Sequence, residues 1–458
     1  MTFRAFLAIV LCKLLRFVSR LLHRGGTAMP GRWALRVCPG LLGILAKDVK
    51  TVAITGTNGK TTSARMIEQA FADQGKSYFA NRSGANLLSG ITTEFVMNST
   101  LSGRCRKEYA VIECDEAASV SVFPQLRPQV IVVTNLFRDQ LDRYGEVTHT
   151  LANVRAGIQG APEAKLCLNA DCSLTASLAD DLKNEAVFFG IDPGACPSGE
   201  KSELSDAPHC IRCKTEYQYD FITYGHLGGF RCPKCGYARH AADYAVTDVI
   251  EQRSAGTTAA VSIRGERRVI DINLPALYNV YNAIGALAAA MEMGVGAEEA
   301  VRALAVFKGG FGRMEAFRLG KADVRMMLVK NPAGCNQVID YLENLRNRFV
   351  LVICLNDRGA DGTDVSWIWD AEFERLNAIA GRIEKVIVSG DRAQDMRVRL
   401  KDAGIPDGNI TVERDYEKLV SSLEPLETDV CLMPTYTATL ELREVMVRHC
   451  GGAAFWEG

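Results

Sequence analysis

Two constellations in this sequence can do chemistry. The first is Thr51–Thr62, TVAITGTNGKTT. Val52-Ala53-Ile54-Thr55 is a short apolar run of the kind that fills a buried parallel strand. A Gly56-Thr57-Asn58-Gly59 turn follows, and Lys60-Thr61-Thr62 opens a helix predicted to run through Phe71. Such a stretch makes a phosphate cradle: glycines let backbone N–H groups converge on phosphate oxygens, and the helix N-terminus adds partial positive charge. Lys60 brings a full charge, and a threonine hydroxyl, Thr61 first and Thr62 second, can hold Mg²⁺. The ATP-binding candidates are therefore Thr55, Gly56, Thr57, Asn58, Gly59, Lys60, Thr61 and Thr62. In the pattern G-x-x-x-x-G-K-[ST] the first glycine falls on Ile54, so the generic match does not apply. A strand–helix turn that binds nothing is the competing reading.

The second constellation is Cys210-x-x-Cys213, followed after eighteen residues by Cys232-x-x-Cys235. Two such knuckles suit tetrahedral Zn²⁺, and with four protein ligands no coordination position stays open, so the role is structural. Tyr217, Tyr219, Phe221 and Tyr224 alternate between the knuckles, which predicts a small hairpin. The insertion spans about residues 196–242. It lacks the dense basic face that nucleic-acid-binding ribbons carry.

The elements that must position these groups alternate strand and helix, the pattern of an α/β fold with a parallel sheet. Tyr109–Ile112 and Val130–Val133 read as buried strands, and ligands of such sheets gather at strand carboxyl ends. One strand delivers Glu113, Asp115 and Glu116; the other delivers Thr134, Asn135 and Asp139. Glu113 is the first choice as Mg²⁺ ligand, with a solvated acidic loop as the alternative. A second alternation begins after Lys308-Gly-Gly-Phe-Gly312, with strands at Phe349–Cys354, Lys385–Val388 and Val430–Met433. Lys330-Asn-Pro-Ala-Gly334 places a lysine and turn residues at a strand end. A glycine loop carrying Asp357, Asp361 and Asp364 precedes Trp367 and Trp369, which read as an interface anchor or as loop packing. The expected divisions are 1–45, a helical segment; 46–306, the nucleotide-binding domain with its insertion; and 307–458, a smaller α/β domain.

Composition limits the options. The 458 residues carry 53 Lys+Arg against 54 Asp+Glu, so no global charge points to nucleic acid. The fifteen cysteines are scattered apart from the paired four, and no cleavable signal peptide is evident. A reducing, cytoplasmic compartment with free or metal-bound thiols is the expectation. Ala5–Cys12 is too short an apolar run to span a bilayer. Lys13, Arg16, Arg20 and Arg24 then recur at helical spacing among leucines. This predicts either peripheral contact of residues 1–24 with an anionic membrane, at the inner face of the plasma membrane, or a helix packed on the domain behind it.

Thr55–Thr62, Glu113 after its strand, Asn135-Leu-Phe-Arg-Asp-Gln-Leu-Asp-Arg-Tyr-Gly145, Leu277-Tyr-Asn-Val-Tyr-Asn282 and Gly312-Arg313-Met314-Glu315 resemble the Mur ligase family. The resemblance implies a Mur-ligase-like P-loop ATPase domain with a parallel-rich central sheet, followed by a smaller Rossmann-like α/β C-terminal domain. It also implies ATP-dependent amide-bond formation through an acyl phosphate. Asn279 and Asn282 would lie near adenine, with helix capping as their rival role, and Arg313 near the nucleotide at the domain junction. Two departures stand out: Gln140 replaces a histidine, and Val154, followed by Arg155, stands where amino-acid-adding members carry a carbamylated lysine.

The cysteine insertion, KNPAG and the 355–370 loop together closely resemble the MurT-type synthetase subunits within that family. This implies amidation of the D-glutamate α-carboxyl of the lipid II stem peptide to D-isoglutamine, in peptidoglycan synthesis. The sequence has no Gly-x-Cys-x-Gly elbow for releasing ammonia from glutamine. The resemblance supplies a class-I glutamine amidotransferase subunit, forming a heterodimer, and an aspartate of this chain that orients the partner's histidine. Asp357, at the strand end, is preferred over Asp361 and Asp364. The alternatives are an amino-acid-adding or folylpolyglutamate-type ligase, and a nucleotide-regulated scaffold that recruits a glutaminase.

Overall fold

The computed structural model describes residues 2–21, 28–81, 85–138, 147–196, 206–253, 255–309 and 313–451. Arg24, Asp139, Gln140, Asp142, Gly145 and Gly310–Gly312 lie outside the described residues.

Three helices lead in: α1 (Phe3–Leu21), α2 (Met29–Val37) and α3 (Leu41–Ala46). The first sheet starts with β1 (Lys50–Thr55), whose apolar run is buried, followed by α4 (Lys60–Asp73). Then come β2 (Tyr78–Ala80), α5 (Leu88–Met97), β3 (Tyr109–Glu113), α6 (Ser119–Leu126) and β4 (Val130–Val133). The chain continues through α7 (Val147–Gln159), β5 (Lys165–Asn169), α8 (Ser173–Asp181) and β6 (Ala186–Ile191). A separate antiparallel hairpin, β7 (Gln218–Tyr224) and β8 (Leu227–Arg231), intervenes before β9 (Tyr244–Gln252), β10 (Thr257–Ile263) and β11 (Glu266–Ile272).

The nine-stranded order is β11-β10-β9-β6-β5-β4-β1-β3-β2, parallel from β2 to β9 and antiparallel at β9-β10-β11. β1 lies between β3 and β4, where successive connections leave in opposite directions. That is the switch point at which open parallel sheets bind ligands. Behind it, α9 (Leu277–Glu292) packs on α4. Its alanines are buried, and Gly285 lies close to the sheet, where a Cβ would fall 3.0 Å from the Phe189 ring of β6. The next helix is α10 (Ala297–Val306).

A second, six-stranded sheet runs β12-β13-β17-β14-β15-β16. Its strands are β12 (Arg313–Leu319), β13 (Ala322–Met327), β14 (Phe349–Cys354), β15 (Ile383–Ser389), β16 (Ile410–Val412) and β17 (Asp429–Pro434). Only β12 is antiparallel, and every residue of β14 is buried, as befits a central strand covered on both faces. Its helices are α11 (Pro332–Asn344), α12 (Ala393–Asp402), α13 (Tyr416–Leu423) and α14 (Tyr436–Cys450). The predicted strands at 109–112, 130–133, 349–354, 385–388 and 430–433 all appear, some one to three residues longer. Lys330–Gly334 is a helix start: Asn331 accepts from Gly334 N–H at 2.8 Å, and Pro332 takes the first helical position.

Candidate active site

The cradle is built where β1, β3 and β4 end side by side, with Ile54 in register with Glu113 and Thr55 with Val133. Gly56 (φ +120°) and Gly59 (φ +88°) hold conformations that favour glycine. A Cβ would fall 2.4 Å from Thr134 Oγ1 at Gly56 and 2.0 Å from Asn282 Oδ1 at Gly59. Both positions need glycine for conformation and for space. The turn is stitched to the exit of β4. Thr57 N–H donates to Asn135 O (2.9 Å), Asn58 N–H to Asn135 Oδ1 (3.0 Å), and Thr134 Oγ1 to Asn58 O (2.7 Å).

Lys60 Nζ donates to Gly56 O (2.6 Å) and to Glu116 Oε1 (2.7 Å), with both side chains buried. Burial works against its charge, but Glu116, Glu113 and Asp115 more than offset that and raise it above the ordinary lysine value. Thr61 Oγ1 donates to Glu113 Oε2 at 2.9 Å, so the two expected Mg²⁺ ligands stand together at the mouth of the cradle. Thr62 lines the adjoining cleft. Hard oxygen donors beside a phosphate loop are the set Mg²⁺ takes, one or two from protein and the rest from phosphate and water.

α9 brings Asn282 against Gly59, and its Nδ2 donates to Asn279 Oδ1 at 3.3 Å. Asn279 Nδ2 in turn donates to Pro275 O at 2.7 Å, so this residue also ties down the helix start. Half-buried Arg313 lines the same cleft opposite Glu113; loss of hydration pulls its pKa below the usual value while the Glu113 charge pulls back. The left-handed Met314 (φ +58°) and a register shift at Arg313/Glu315 mark a bulge, the device that re-aims a strand side chain. The second sheet closes the cleft: Lys330 lines it, and Asn331 Nδ2 donates to Asn58 Oδ1 at 3.2 Å. Val154 is fully buried in α7, where an aliphatic side chain completes the core.

The four cysteine sulfurs lie within 4.8 Å of one another. A tetrahedron with metal–sulfur bonds of about 2.3 Å has edges of about 3.8 Å, so the group fits a metal ion. The two knuckles share one geometry: Lys214 N–H bonds Cys210 O with φ +62°, and Gly236 N–H bonds Cys232 O with φ +75°. Hydrogen bonds from the Thr215 hydroxyl and amide lower the Cys213 pKa to about 6, favouring a thiolate.

The hairpin between the knuckles reaches into the nucleotide cleft, which the spacing of its aromatics did not reveal. Tyr224 lines that cleft, stacks on Phe137 (5.8 Å, 14°) and meets Tyr281 of α9 edge-on (5.7 Å, 80°). Thr223 Oγ1 lies 2.8 Å from Tyr281 OH, which donates to buried Asp171 at 2.6 Å. Asp171 also accepts from Arg239 Nε (2.5 Å) and Ile191 N–H (2.8 Å). Its burial raises its pKa, while Arg239 and Tyr281 oppose the shift. These contacts bolt the cysteine module to the helix carrying Asn279 and Asn282.

The three aspartates after β14 separate clearly. Buried Asp361 accepts from Thr437 N–H at 2.7 Å and from the Thr437 hydroxyl, holding the start of α14. Burial raises its pKa. Asp364 accepts from Ser366 N–H at 2.8 Å, which lowers its own. Asp357 is half-exposed, with Arg392 at 3.6 Å. Trp367 packs against the core, in keeping with loop packing, whereas Trp369 is exposed with Arg399 over its ring at 5.5 Å.

α1 also divides its faces. Ala5, Ala8, Ile9 and Cys12 are buried against α2 and α5, and Lys13 Nζ donates to Ser99 O at 2.8 Å. Phe3, Leu7, Val10, Leu14, Phe17 and Leu21 are exposed along the opposite stripe. Among the described residues no helix is long and apolar enough to cross a membrane.

The family model for the Mur ligase middle domain matches residues 54–226, and that for the MurT ligase C-terminal matches 328–439. The chain is 33% identical to the lipid II isoglutaminyl synthase (glutamine-hydrolyzing) subunit MurT of Staphylococcus aureus (strain COL), across 98% of this chain and 99% of the relative. It is also 33% identical to the MurT subunit of Streptococcus pneumoniae (strain ATCC BAA-255 / R6), across 94% of each chain. Among solved structures it resembles MurF from Acinetobacter baumannii, with a TM-score of 0.67 and 16% identity over 91% of this chain and 80% of that one.

Proposed function

The chain belongs to the MurT family of lipid II isoglutaminyl synthase subunits, ATP-dependent ligase subunits of peptidoglycan synthesis, and from that premise we propose how its residues divide the work. Residues 46–306 bind ATP and residues 307–458 face the partner. The reaction is amidation of the D-glutamate α-carboxyl of lipid II. The carboxylate oxygen attacks the γ-phosphorus and ADP leaves; ammonia then attacks the acyl carbon, phosphate departs, and D-isoglutamine remains.

The observation that carries this reading is the convergence of Lys60, Thr61 and Glu113 at one strand-end cradle closed over by Arg313 and Lys330. Lys60 offsets charge on the transferring phosphoryl group, and release from Glu116 frees it to do so. Thr61 and Glu113 would hold Mg²⁺, which supplies charge neutralisation between the β- and γ-phosphates. Gly56, Thr57, Asn58 and Gly59 present backbone amides, Thr62 lines the approach with Thr55 buried at the strand end behind the turn, and Asn279 and Asn282 face adenine. Cys210, Cys213, Cys232 and Cys235 would hold a structural Zn²⁺. The buried Val154 leaves the carbamate-bound second Mg²⁺ of amino-acid-adding relatives without a ligand here.

Ammonia comes from a partner subunit, which we take to be a class-I glutamine amidotransferase in a heterodimer. Asp357 completes its triad by orienting the catalytic histidine. Support comes from the neighbours: Asp361 and Asp364 are engaged in capping, while Asp357 stands half-exposed. Asp357→Asn should abolish glutamine-dependent amidation in an assembled complex and leave ammonium-dependent amidation intact; retained glutamine-dependent activity removes Asp357 from this role. The apolar outer stripe of α1 supports peripheral contact with the inner face of the plasma membrane, where a lipid-linked substrate resides.

One assay tests the whole reading. Purified chain with ATP, Mg²⁺ and lipid II should amidate the substrate when given ammonium and release ADP and phosphate. Addition of an amino acid in place of ammonia, or no turnover, refutes it.

A further inference from the structure

Beside the cradle, α2 and the start of α5 enclose a cleft of about 750 Å³, lined by Arg32, Arg36, Leu87, Ser89, Asp115 and Ser121 among others. Its geometry is fixed. A Cβ at Gly31 would fall 1.9 Å from Ser89 O, and Gly31 N–H donates to Thr93 Oγ1 at 2.9 Å, so α2 sits backbone-to-backbone on α5. That contact holds the two arginines over the first turn of α5. α5 starts at Leu88, and its N-cap residue Leu87 makes no side-chain capping bond.

The electrostatics of the cleft favour anions. Arg32 and Arg36 are both exposed, and among the described residues no carboxylate pairs with either. Arg36 is braced with its guanidinium 4.6 Å over the Trp33 ring. No Asp or Glu precedes Asp48 in the sequence. The one carboxylate at the deep end, Asp115, accepts from Ala117 N–H (3.0 Å) and Ala118 N–H (3.2 Å). It adjoins Glu116, the partner of the cradle lysine. Two guanidinium forks above a ten-residue helix N-terminus match the spread negative charge of a diphosphate. Apolar side chains suited to a hydrocarbon tail are at hand: Leu35, Leu87 and Leu88 line the cleft, and Leu87 is exposed, as are Met29 and Trp33 of the same α2.

We propose that this cleft docks the diphosphate of the lipid-linked substrate, with the prenyl chain leaving along α1 and α2 and the peptide end directed past Asp115 to the cradle. The assignment rests on the amidating reading above and adds the place where the substrate is held.

The probe is farnesyl diphosphate, titrated calorimetrically into the full chain with its cradle filled by Mg²⁺ and a non-hydrolysable ATP analogue. One saturable site is expected, weakened at least tenfold in Arg32→Ala/Arg36→Ala and only partly in Arg32→Lys/Arg36→Lys. In turnover, the alanine pair should raise KM for the lipid-linked substrate at least tenfold while KM for ATP stays within twofold. Equal binding by wild type and the alanine pair, or an unchanged KM for the lipid, overturns the proposal, as does an equal rise in both KM values. Inorganic pyrophosphate binding as tightly as farnesyl diphosphate assigns the cleft to free anions and also overturns it. A wild type that binds farnesyl diphosphate through these arginines but never amidates lipid II leaves the cleft standing and sinks the functional reading instead.

Discussion

Lys60 and Glu116 form an internal ion pair at the cradle, which the proposed phosphate contact would share or open. Both side chains are buried, so removing one partner strands the other at a cost of roughly 3–5 kcal/mol. Glu116→Gln should therefore lower the melting temperature of the nucleotide-free protein and enlarge the rise that ATP produces, since bound phosphate then compensates Lys60; calorimetry with and without nucleotide reads both. Gly59→Ala combines a left-handed backbone with a clash into Asn282, and equilibrium dialysis should find ATP binding reduced at least tenfold. Asp361→Ala removes the acceptor at the start of α14 and should cost about 1–2 kcal/mol in urea unfolding. The cradle and its acidic partners were legible in the sequence because strand, glycine turn, Lys-Thr and a following carboxylate occur in a fixed order. Which carboxylate meets Lys60 was not, because Glu113, Asp115 and Glu116 lie within four residues and only backbone direction separates them. Likewise, nothing in the spacing of Asp357, Asp361 and Asp364 told capping from exposure; Thr437, which selects Asp361, lies 76 residues on.

At the scale of elements, buried strands announced themselves as uninterrupted apolar runs, and β14 and β4 end where those runs end. The cysteine hairpin was equally visible from its knuckles and alternating aromatics. Its docking was hidden, because the Thr223–Tyr281–Asp171–Arg239 chain joins residues up to 110 positions apart. That docking gives the module work beyond its own stability. Tyr224→Ala should weaken ATP-analogue binding several-fold and leave the metal proposed for the four cysteines in place. Stripping the metal with a chelator should weaken the same binding and alter the near-ultraviolet circular dichroism of the Tyr217–Phe230–Tyr237 cluster. Nucleotide affinity indifferent to both treatments would show that the module only decorates the sheet. In the structure Ala5, Ala8, Ile9 and Cys12 turn inward and phenylalanines and leucines face out, a division the sequence left open. An apolar run by itself does not say which face is covered.

Across the whole molecule, the two sheets meet at the cradle. Asn331 reaches Asn58, and Arg138 pairs with both Asp206 and Asp370. Among the described residues, eight of the nineteen exposed large hydrophobic side chains lie on α1, more than on any other element. Replacing Leu7, Leu14 and Phe17 with glutamate leaves the inward face untouched, so co-sedimentation with phosphatidylglycerol vesicles should be lost while the melting temperature holds. This is a cleaner probe than deleting residues 1–24, which would uncover Ala34 of α2 and the core beneath. A net charge of only −1 conceals how the charges are arranged: the first 47 residues carry lysine and arginine and no acid, so the remainder is acidic. The chain is thus a macroscopic dipole. Under the membrane contact proposed above, that asymmetry would turn α1 and the α2–α5 cleft towards an anionic surface before contact is made, with the acidic remainder facing solvent. Such contact would confine the search for a lipid-linked substrate to two dimensions, with an encounter rate governed by lateral diffusion within the bilayer plane.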